Sequence, residues 1–132
     1  MTALSESVQP IARMLMSLLF VISGLGKLGH VEGFSQYLAS GGIPAALAWP
    51  AVLFEILVGL AFLVGWQTRI AGWLLAAFCI VTAVLYHFDP SNDMQMAMFL
   101  KNLGLAGGFA MFALHGAGKW SLDARTGAAQ AA

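Results

Sequence analysis

Charged residues are scarce in this chain. Of its 132 residues, 9% are charged and 60% are hydrophobic, and the mean hydropathy is +0.83. Soluble domains carry about 25% charged residues, and a chain this short has too little interior to bury so much apolar surface. The composition therefore excludes a single soluble domain and indicates that a lipid bilayer solvates most of the protein.

Cysteine and basic clusters are also in short supply. Cys79 is the single cysteine, which excludes an intramolecular disulfide and a paired-cysteine redox motif. The net charge is zero and no basic run occurs, so nucleic acid is not an expected partner. The three histidines, His30, His87 and His115, are far apart, and their spacing predicts no metal site.

Four apolar segments have the length of about 20 residues that a membrane helix needs. They lie at about 11–28, 45–65, 70–88 and 96–115. Because the second and third connections are short, successive helices are expected to be antiparallel neighbours. The sequence predicts an all-α membrane protein: one domain, 1–132, with four transmembrane helices in an antiparallel bundle and a tail at 116–132.

The first connection is longer, and apolar residues recur in it at helical spacing from Val31 through Phe34 to Leu38. This pattern predicts a short interfacial helix that ends at Gly41 and Gly42.

Pro50 lies inside the second predicted span. It removes the amide hydrogen that would bond to the carbonyl of Ala46, so a kink is expected there. Either Pro50 is simply tolerated, as prolines often are in membrane helices, or its kink shapes a cavity around Glu55.

Positive residues near the span ends favour one orientation. The side that holds both termini carries four of them: Arg13, Arg69, Lys119 and Arg125. The other side carries Lys27 and Lys101. The bias predicts that both termini face the cytoplasm.

Three ionisable residues fall within the apolar segments, and such residues are expensive in a bilayer unless paired or used. At 1.5 Å per residue, Glu55 lies about 15 Å and Lys101 about 8 Å from the same membrane side, and Lys27 ends the first span there. We predict that Glu55 faces the bundle interior within salt-bridge reach of Lys101, Lys27 or both. The alternatives are that the lysines extend to the interface, or that the pair is only structural.

Other polar residues fall at similar depth: Tyr86 and His87 end the third span, and Asn102 follows Lys101. Each span then brings a polar group to the same depth in the bundle, which predicts a polar pocket. An interfacial position is the alternative for His87. Arg13 and Arg69 are interpreted as structural charges, Arg13 as an anchor at the interface.

Gly104 and Gly108 form a small-xxx-small pair. It permits close helix approach within the bundle or in a homodimer.

These residues, in this order, resemble the DoxX family. The resemblance covers residues 10–123 and rests on Arg13, Ser23-Gly24 with Lys27, Glu55 with Gly59, Thr68-Arg69, Lys101-Asn102 and the segment 116–123. It implies a small four-span protein of the bacterial inner membrane, with relatives that include a subunit of thiosulfate:quinone oxidoreductase.

Three functions remain open. The chain could bind a quinone-like or small anionic or aromatic molecule and support the redox chemistry of partner proteins. Lys27 and Lys101 would then hold the oxygens of this ligand, and Glu55 would balance the charges of the lysines or relay a proton. Because the chain lacks a redox cysteine pair, it would then be at most a non-autonomous oxidoreductase subunit. The alternatives are a structural or assembly partner of a membrane complex and a small-molecule transporter.

Overall fold

A computed structural model describes residues 3–127 of the protein. All regular structure in that range is helical, and four segments are long and apolar enough to cross a membrane: Glu6–Lys27, Ala45–Val64, Thr68–His87 and Asp93–His115. The prediction of an all-α membrane protein with four spans is confirmed.

The helices occur in this order along the chain: α1 Ala3–Lys27, α2 Val31–Ser40, α3 Ala48–Val64, α4 Thr68–Thr82, α5 Asp93–His115 and α6 Leu122–Thr126. A 3-10 turn at Ala45–Leu47 precedes α3, and a π-helical turn at Ala83–His87 extends α4. Below, the side of the bundle that holds residues 65–68 and 116–127 is called the terminal side, and the opposite side is called the Lys27 side.

The four spans form two closely packed pairs, α1 with α3 and α4 with α5, and α3 also contacts α4. An aromatic cluster joins the pairs. Phe109 of α5 packs edge-on against Phe20 of α1, with ring centroids 5.4 Å apart, and against Phe62 of α3, at 4.9 Å. Edge-to-face pairs each add about 1 kcal/mol beyond the apolar area they bury, so this cluster fixes the arrangement of the spans.

Small residues set the distance between α1 and α3. A Cβ atom added to Gly24 would lie 3.2 Å from Cβ of Glu55, and one added to Gly59 would lie 3.2 Å from Cβ of Phe20. Both distances are tighter than ordinary van der Waals contact, so the two helices approach each other through their glycines. This close approach brings the end of α1 beside Glu55.

The two glycines of the small-xxx-small pair face different surroundings. Gly108 lies against the side chain of Met16, inside the bundle, whereas a Cβ atom added to Gly104 would meet nothing within 4 Å. Gly108 therefore serves packing of α5 against α1, and the homodimer stays a prediction.

The helix predicted between the first two spans is present as α2. Its Leu38 is buried, and Gly41 follows its last residue as predicted. Gly42 has a φ of 80°, a left-handed conformation that glycine adopts without strain.

Pro50 does not interrupt a helix interior. It is the third residue of α3, where a backbone N–H has no intrahelical acceptor in any case. The expected mid-span kink is replaced by a junction at Ala48, where the 3-10 turn becomes an α-helix.

Candidate functional site

An ion pair joins the end of α1 to α3. The ammonium of Lys27 lies 2.7 Å from Oε2 and 2.9 Å from Oε1 of Glu55, and it also donates to Ser23 Oγ at 2.6 Å. The ring of Phe34, from α2, lies 4.9 Å from the same nitrogen. Glu55 is 3% exposed. The prediction that Glu55 faces the interior within salt-bridge reach of a lysine is confirmed, and the lysine is Lys27.

The ion pair follows from the sequence pattern of α1. Buried positions recur along one stripe of this helix: Arg13, Ser17, Phe20 and Gly24. Lys27 continues the stripe three residues after Gly24. Since the Gly24 contact already brings α3 close, the lysine needs no extended reach to meet Glu55.

Lys101 does not contact Glu55. Its side chain is exposed, and its ammonium donates to Sδ of Met98 at 3.5 Å. Among the residues whose side chains the structure describes, 6–127, no acid pairs with it. Lys101 is therefore a cation at the edge of the site without a counter-charge.

A cavity of about 580 Å³ opens beside the ion pair on the Lys27 side. Its walls are mainly apolar and include the stacked rings of Phe54 and Phe78, with centroids 5.1 Å apart. Every predicted pocket residue lines it: Lys27, Glu55, Tyr86, His87, Lys101 and Asn102. A volume in this range suits a small organic ligand.

Tyr86 and His87 lie in the π-helical turn, and both have protein partners. Tyr86 Oη donates to the carbonyl of Leu38 at 2.9 Å, and His87 Nδ1 lies 2.8 Å from Oε1 of Gln95. Tyr86 also stacks on Tyr37, with centroids 4.7 Å apart. Burial, aided by the neighbouring Tyr86 phenol, raises the pKa of Tyr37, so this phenol stays neutral at physiological pH. These contacts attach α2 to the rim of the cavity.

Asn102 differs from the other polar lining residues. It is 8% exposed and lines the cavity, yet its amide forms no hydrogen bond with any residue in the described range. Asn102 and Lys101 therefore present unused hydrogen-bond donors at the same cavity.

The terminal side has a second polar cluster. Arg13 is 2% exposed, and its Nη2 donates to the backbone carbonyl of Trp120. The interpretation of Arg13 as an interfacial anchor is wrong, because the segment after α5 folds back over the bundle and covers it. Arg69 lies beside this cluster, partly exposed at the start of α4.

Asp123 is a structural residue that the sequence analysis missed. Its Oδ1 accepts from the backbone N–H of Gln67 at 2.7 Å, and its Oδ2 accepts from that of Thr68 at 2.9 Å. It therefore caps the N-terminus of α4 from 55 residues away. Ser121 could have indicated a helix here, because serine is a common N-cap residue. Its side chain caps α6, in a segment for which only a tail was predicted.

Within the described range, no three His, Cys, Asp or Glu side chains are grouped so that they could hold a metal ion.

Comparison with known proteins agrees with this architecture. Two inner membrane proteins of Escherichia coli (strain K12) align with most of the chain. YqjF is 37% identical over 113 residues, which cover 86% of this chain and 87% of YqjF. YphA is 35% identical over 122 residues, which cover 87% of each.

A third relative aligns over a shorter range. The putative oxidoreductase CatD of Bacillus subtilis (strain 168) is 30% identical over 73 residues, which cover 55% of this chain and 54% of CatD. No solved structure matches the chain. The DoxX family model matches residues 9–88, more than half of the chain. The protein is therefore a membrane protein of the DoxX family.

Proposed function

We propose that the cavity on the Lys27 side binds a quinone-like or small anionic or aromatic molecule, and that the chain is a subunit supporting membrane redox chemistry. The observation that carries the proposal is the pair of unused donors, Lys101 and buried Asn102, at one apolar cavity.

The charges at the cavity favour a ligand with acceptor oxygens. Glu55 neutralises Lys27 in a bidentate contact, so Lys101 supplies a surplus positive charge. A cation and an amide at the edge of a poorly hydrated cavity are stabilised when an acceptor offsets them. Quinone oxygens, a phenolate or a carboxylate all provide such acceptors.

The walls favour an aromatic ring. Phe54 and Phe78 stack along one wall, and Phe20 packs edge-on against Phe78 with centroids 5.9 Å apart. Aromatic surfaces contribute apolar contact and offset stacking to a planar ligand. A cavity lined by both polar groups and aromatic rings matches an amphipathic, ring-bearing molecule.

Redox chemistry would come from the ligand and a partner protein. A bound quinone would accept electrons and protons. Lys101 and Asn102 would hold its oxygens, and Glu55 of the Lys27–Glu55 pair would be a proton-accepting carboxylate nearby. The oxidoreductase name of CatD supports this proposal. With one cysteine, at Cys79, the chain would act with a redox partner protein.

The names of YqjF and YphA support location in a bacterial inner membrane. With the predicted orientation, both termini face the cytoplasm and the cavity opens toward the outer half of the bilayer. Reporter fusions after residues 67 and 91 test this orientation; a periplasmic signal after residue 67 would reverse it.

The test of binding uses Lys101→Met in detergent-purified protein titrated with a short-chain ubiquinone analogue. Loss of a charge-assisted hydrogen bond should weaken binding about tenfold. Because Lys101 has no acidic partner, the melting temperature should change little. Lys101→Arg should retain binding, and Lys119→Met, which removes a lysine on the terminal side, is the matched control.

A structural role is the second candidate, favoured by the direct contact between Lys27 and Glu55. It predicts that no saturable binding of a quinone analogue or aromatic anion occurs to the wild-type protein, and that Lys27 variants lose stability. Absence of saturable binding would reject the ligand proposal.

A further inference from the structure

The cavity on the Lys27 side is bordered by one stripe of side chains from the second span, Ala45–Val64, and one from the third span, Thr68–His87. The stripes meet at the stacked rings of Phe54 and Phe78. From this stack toward the Lys27 side, the lining residues follow at a spacing of three or four positions, which keeps them on one face of each helix. They are Leu47, Pro50 and Ala51 in the second span and Val81, Thr82 and Leu85 in the third.

Three of these apolar side chains are strongly exposed although they line the cavity. Leu47 is 46% exposed, Val81 52% and Leu85 40%. Phe54 and Phe78, at the stack, are less exposed. Because side chains that line a cavity and are also about half exposed lie where the cavity opens, the cavity has an opening between the second and third spans. We call this opening, bordered by Leu47, Val81 and Leu85, the lateral mouth.

The lateral mouth lies at the depth of lipid chains. Val81 is six residues before His87, where the third span ends, so it lies about 9 Å inside the span at 1.5 Å per residue. Leu47 is two residues inside the second span. A span of 20 residues matches a hydrocarbon core about 30 Å thick. The lateral mouth therefore opens to lipid chains rather than to water.

The helix α2 covers the cavity from another direction, where the spans reach the aqueous phase. Phe34, Tyr37 and Leu38 of α2 line the cavity. The carbonyl of Leu38 accepts from Tyr86, near the end of the third span, and the ring of Phe34 lies over the ammonium of Lys27, at the end of the first. Since α2 is attached to two spans that border the cavity, it lies across the path from water, whereas the path from the bilayer is open.

The described residues at the lateral mouth offer apolar contact only. Leu47, Val81 and Leu85 are aliphatic, and the hydroxyl of Thr82 already donates to the carbonyl of Phe78 at 2.8 Å. An apolar chain gains free energy by leaving water for such a surface, whereas a polar group would lose hydrogen bonds there without replacement. The lateral mouth therefore suits an apolar chain that continues from a ligand in the cavity.

On the basis of the function proposed above, we propose that the ligand of this cavity is a lipid-soluble molecule. It has a ring that carries acceptor oxygens and an apolar chain that leaves the cavity through the lateral mouth. Lys101 and Asn102 hold the oxygens, and the chain extends between the second and third spans into the bilayer. This assignment favours a quinone with an alkyl or isoprenoid chain over a water-soluble aromatic anion.

The test compares two ligands in the full chain, purified in detergent: decylubiquinone, and the same ubiquinone ring without a chain. Val81→Trp and Leu47→Trp each place a large ring in the lateral mouth. Val84→Trp and Leu53→Trp are the matched controls, because Val84 and Leu53 are 58% and 47% exposed on the same two spans but do not line the cavity. Each variant is compared with wild type for one ligand at a time, so partitioning of the ligand into micelles cancels. Melting temperatures without ligand show whether each variant is folded.

We expect Val81→Trp and Leu47→Trp to weaken binding of decylubiquinone about tenfold, because the added ring overlaps the path of the chain. The ring without a chain should bind the same variants as it binds wild type. Both controls should bind each ligand as wild type does. Binding of decylubiquinone alone, weakened in the two mouth variants and kept in the controls, would also support the proposal.

Three results would overturn it. Unchanged binding of decylubiquinone to Val81→Trp and Leu47→Trp would reject the lateral mouth and leave the proposed function intact. Equal losses for both ligands, or equal losses in the controls, would show that the substitutions distort the protein rather than block a chain. If wild type binds neither ligand, the proposed function itself fails, and the lateral mouth fails with it.

Discussion

The terminal side and the Lys27 side of the bundle both bury a carboxylate, but they use it differently. On the terminal side, Asp123 accepts from two backbone N–H groups of the α4 N-terminus, and Arg13 lies close to it. On the Lys27 side, both oxygens of Glu55 face a single ammonium. At the same cavity, Lys101 has no acidic partner and Asn102 has no hydrogen-bonding partner in the described range.

This difference indicates that Asp123 has a structural role and that Glu55 can take part in ligand binding. Asp123 bonds to backbone groups, which cannot move without unwinding α4, so its contacts hold the fold. Glu55 bonds to one flexible side chain at an open cavity, so its partner can change when a ligand arrives. A buried polar group with a protein partner is evidence for structure, whereas one without a partner at a cavity is evidence for binding.

The largest effect should come from Asp123→Ala. It leaves the buried N–H of Thr68 and the part-buried N–H of Gln67 without an acceptor and Arg13 without its nearby acid, so the free energy of unfolding should fall by about 3 kcal/mol. Unfolding in mixed detergent micelles measures the loss. Asp93→Ala, an exposed acid in the first turn of α5, is the control and should cost less than about 1 kcal/mol. Equal losses would contradict a special role for Asp123.

Lys27→Met should have the next largest effect, about 2 kcal/mol, because the buried Glu55 loses its only ion-pair partner in the described chain. The double variant Lys27→Met with Glu55→Met should recover most of the stability, since an apolar pair needs no counter-charge. Quinone-analogue titration of the double variant then separates the two roles. Recovered stability with unchanged binding would show that the ion pair does not serve the proposed ligand.

The smallest effect should come from a substitution that weakens the attachment of α2 to the rim of the cavity. In Gly41→Ala, the added methyl group would overlap the ring of Tyr86 and disturb its hydrogen bond to Leu38, at an expected cost of about 1 kcal/mol. Gly104→Ala is the matched control, because nothing lies within 4 Å of its added Cβ atom. It should be neutral or stabilising by about 0.5 kcal/mol. Thermal unfolding compares the two, and a stable Gly41→Ala would show that α2 is not held through Tyr86.

Which residues lie at the same depth in the membrane could be predicted from the sequence. The length of the apolar segments gave the four spans, and the spacing of Val31, Phe34 and Leu38 gave α2. The cost of a membrane-embedded acid placed Glu55 inside. The choice between Lys27 and Lys101 could not be predicted, since depth follows from residue count but side-chain direction depends on how helices rotate against one another.

Contacts between distant parts of the chain were beyond sequence reasoning. Arg13 was placed at the interface because its partner, the Trp120 carbonyl, lies 107 residues away in a segment predicted as a tail. Asp123 was missed for the same reason. Pro50 was misjudged because the change from a 3-10 turn to an α-helix at Ala48 left it in a first turn, where its missing amide hydrogen has little effect.

The Arg13–Trp120 hydrogen bond has a consequence for biosynthesis. Ribosomes make the chain from the N-terminus, so Arg13 enters the membrane with the first span while Trp120 and Asp123 are made only after all four spans. A single arginine is tolerated during insertion of a span at a cost of about 3 kcal/mol. Until residues 120–123 emerge, the first helix carries this charge without its final partners, so the nascent bundle reaches its mature packing only after translation has passed the last span.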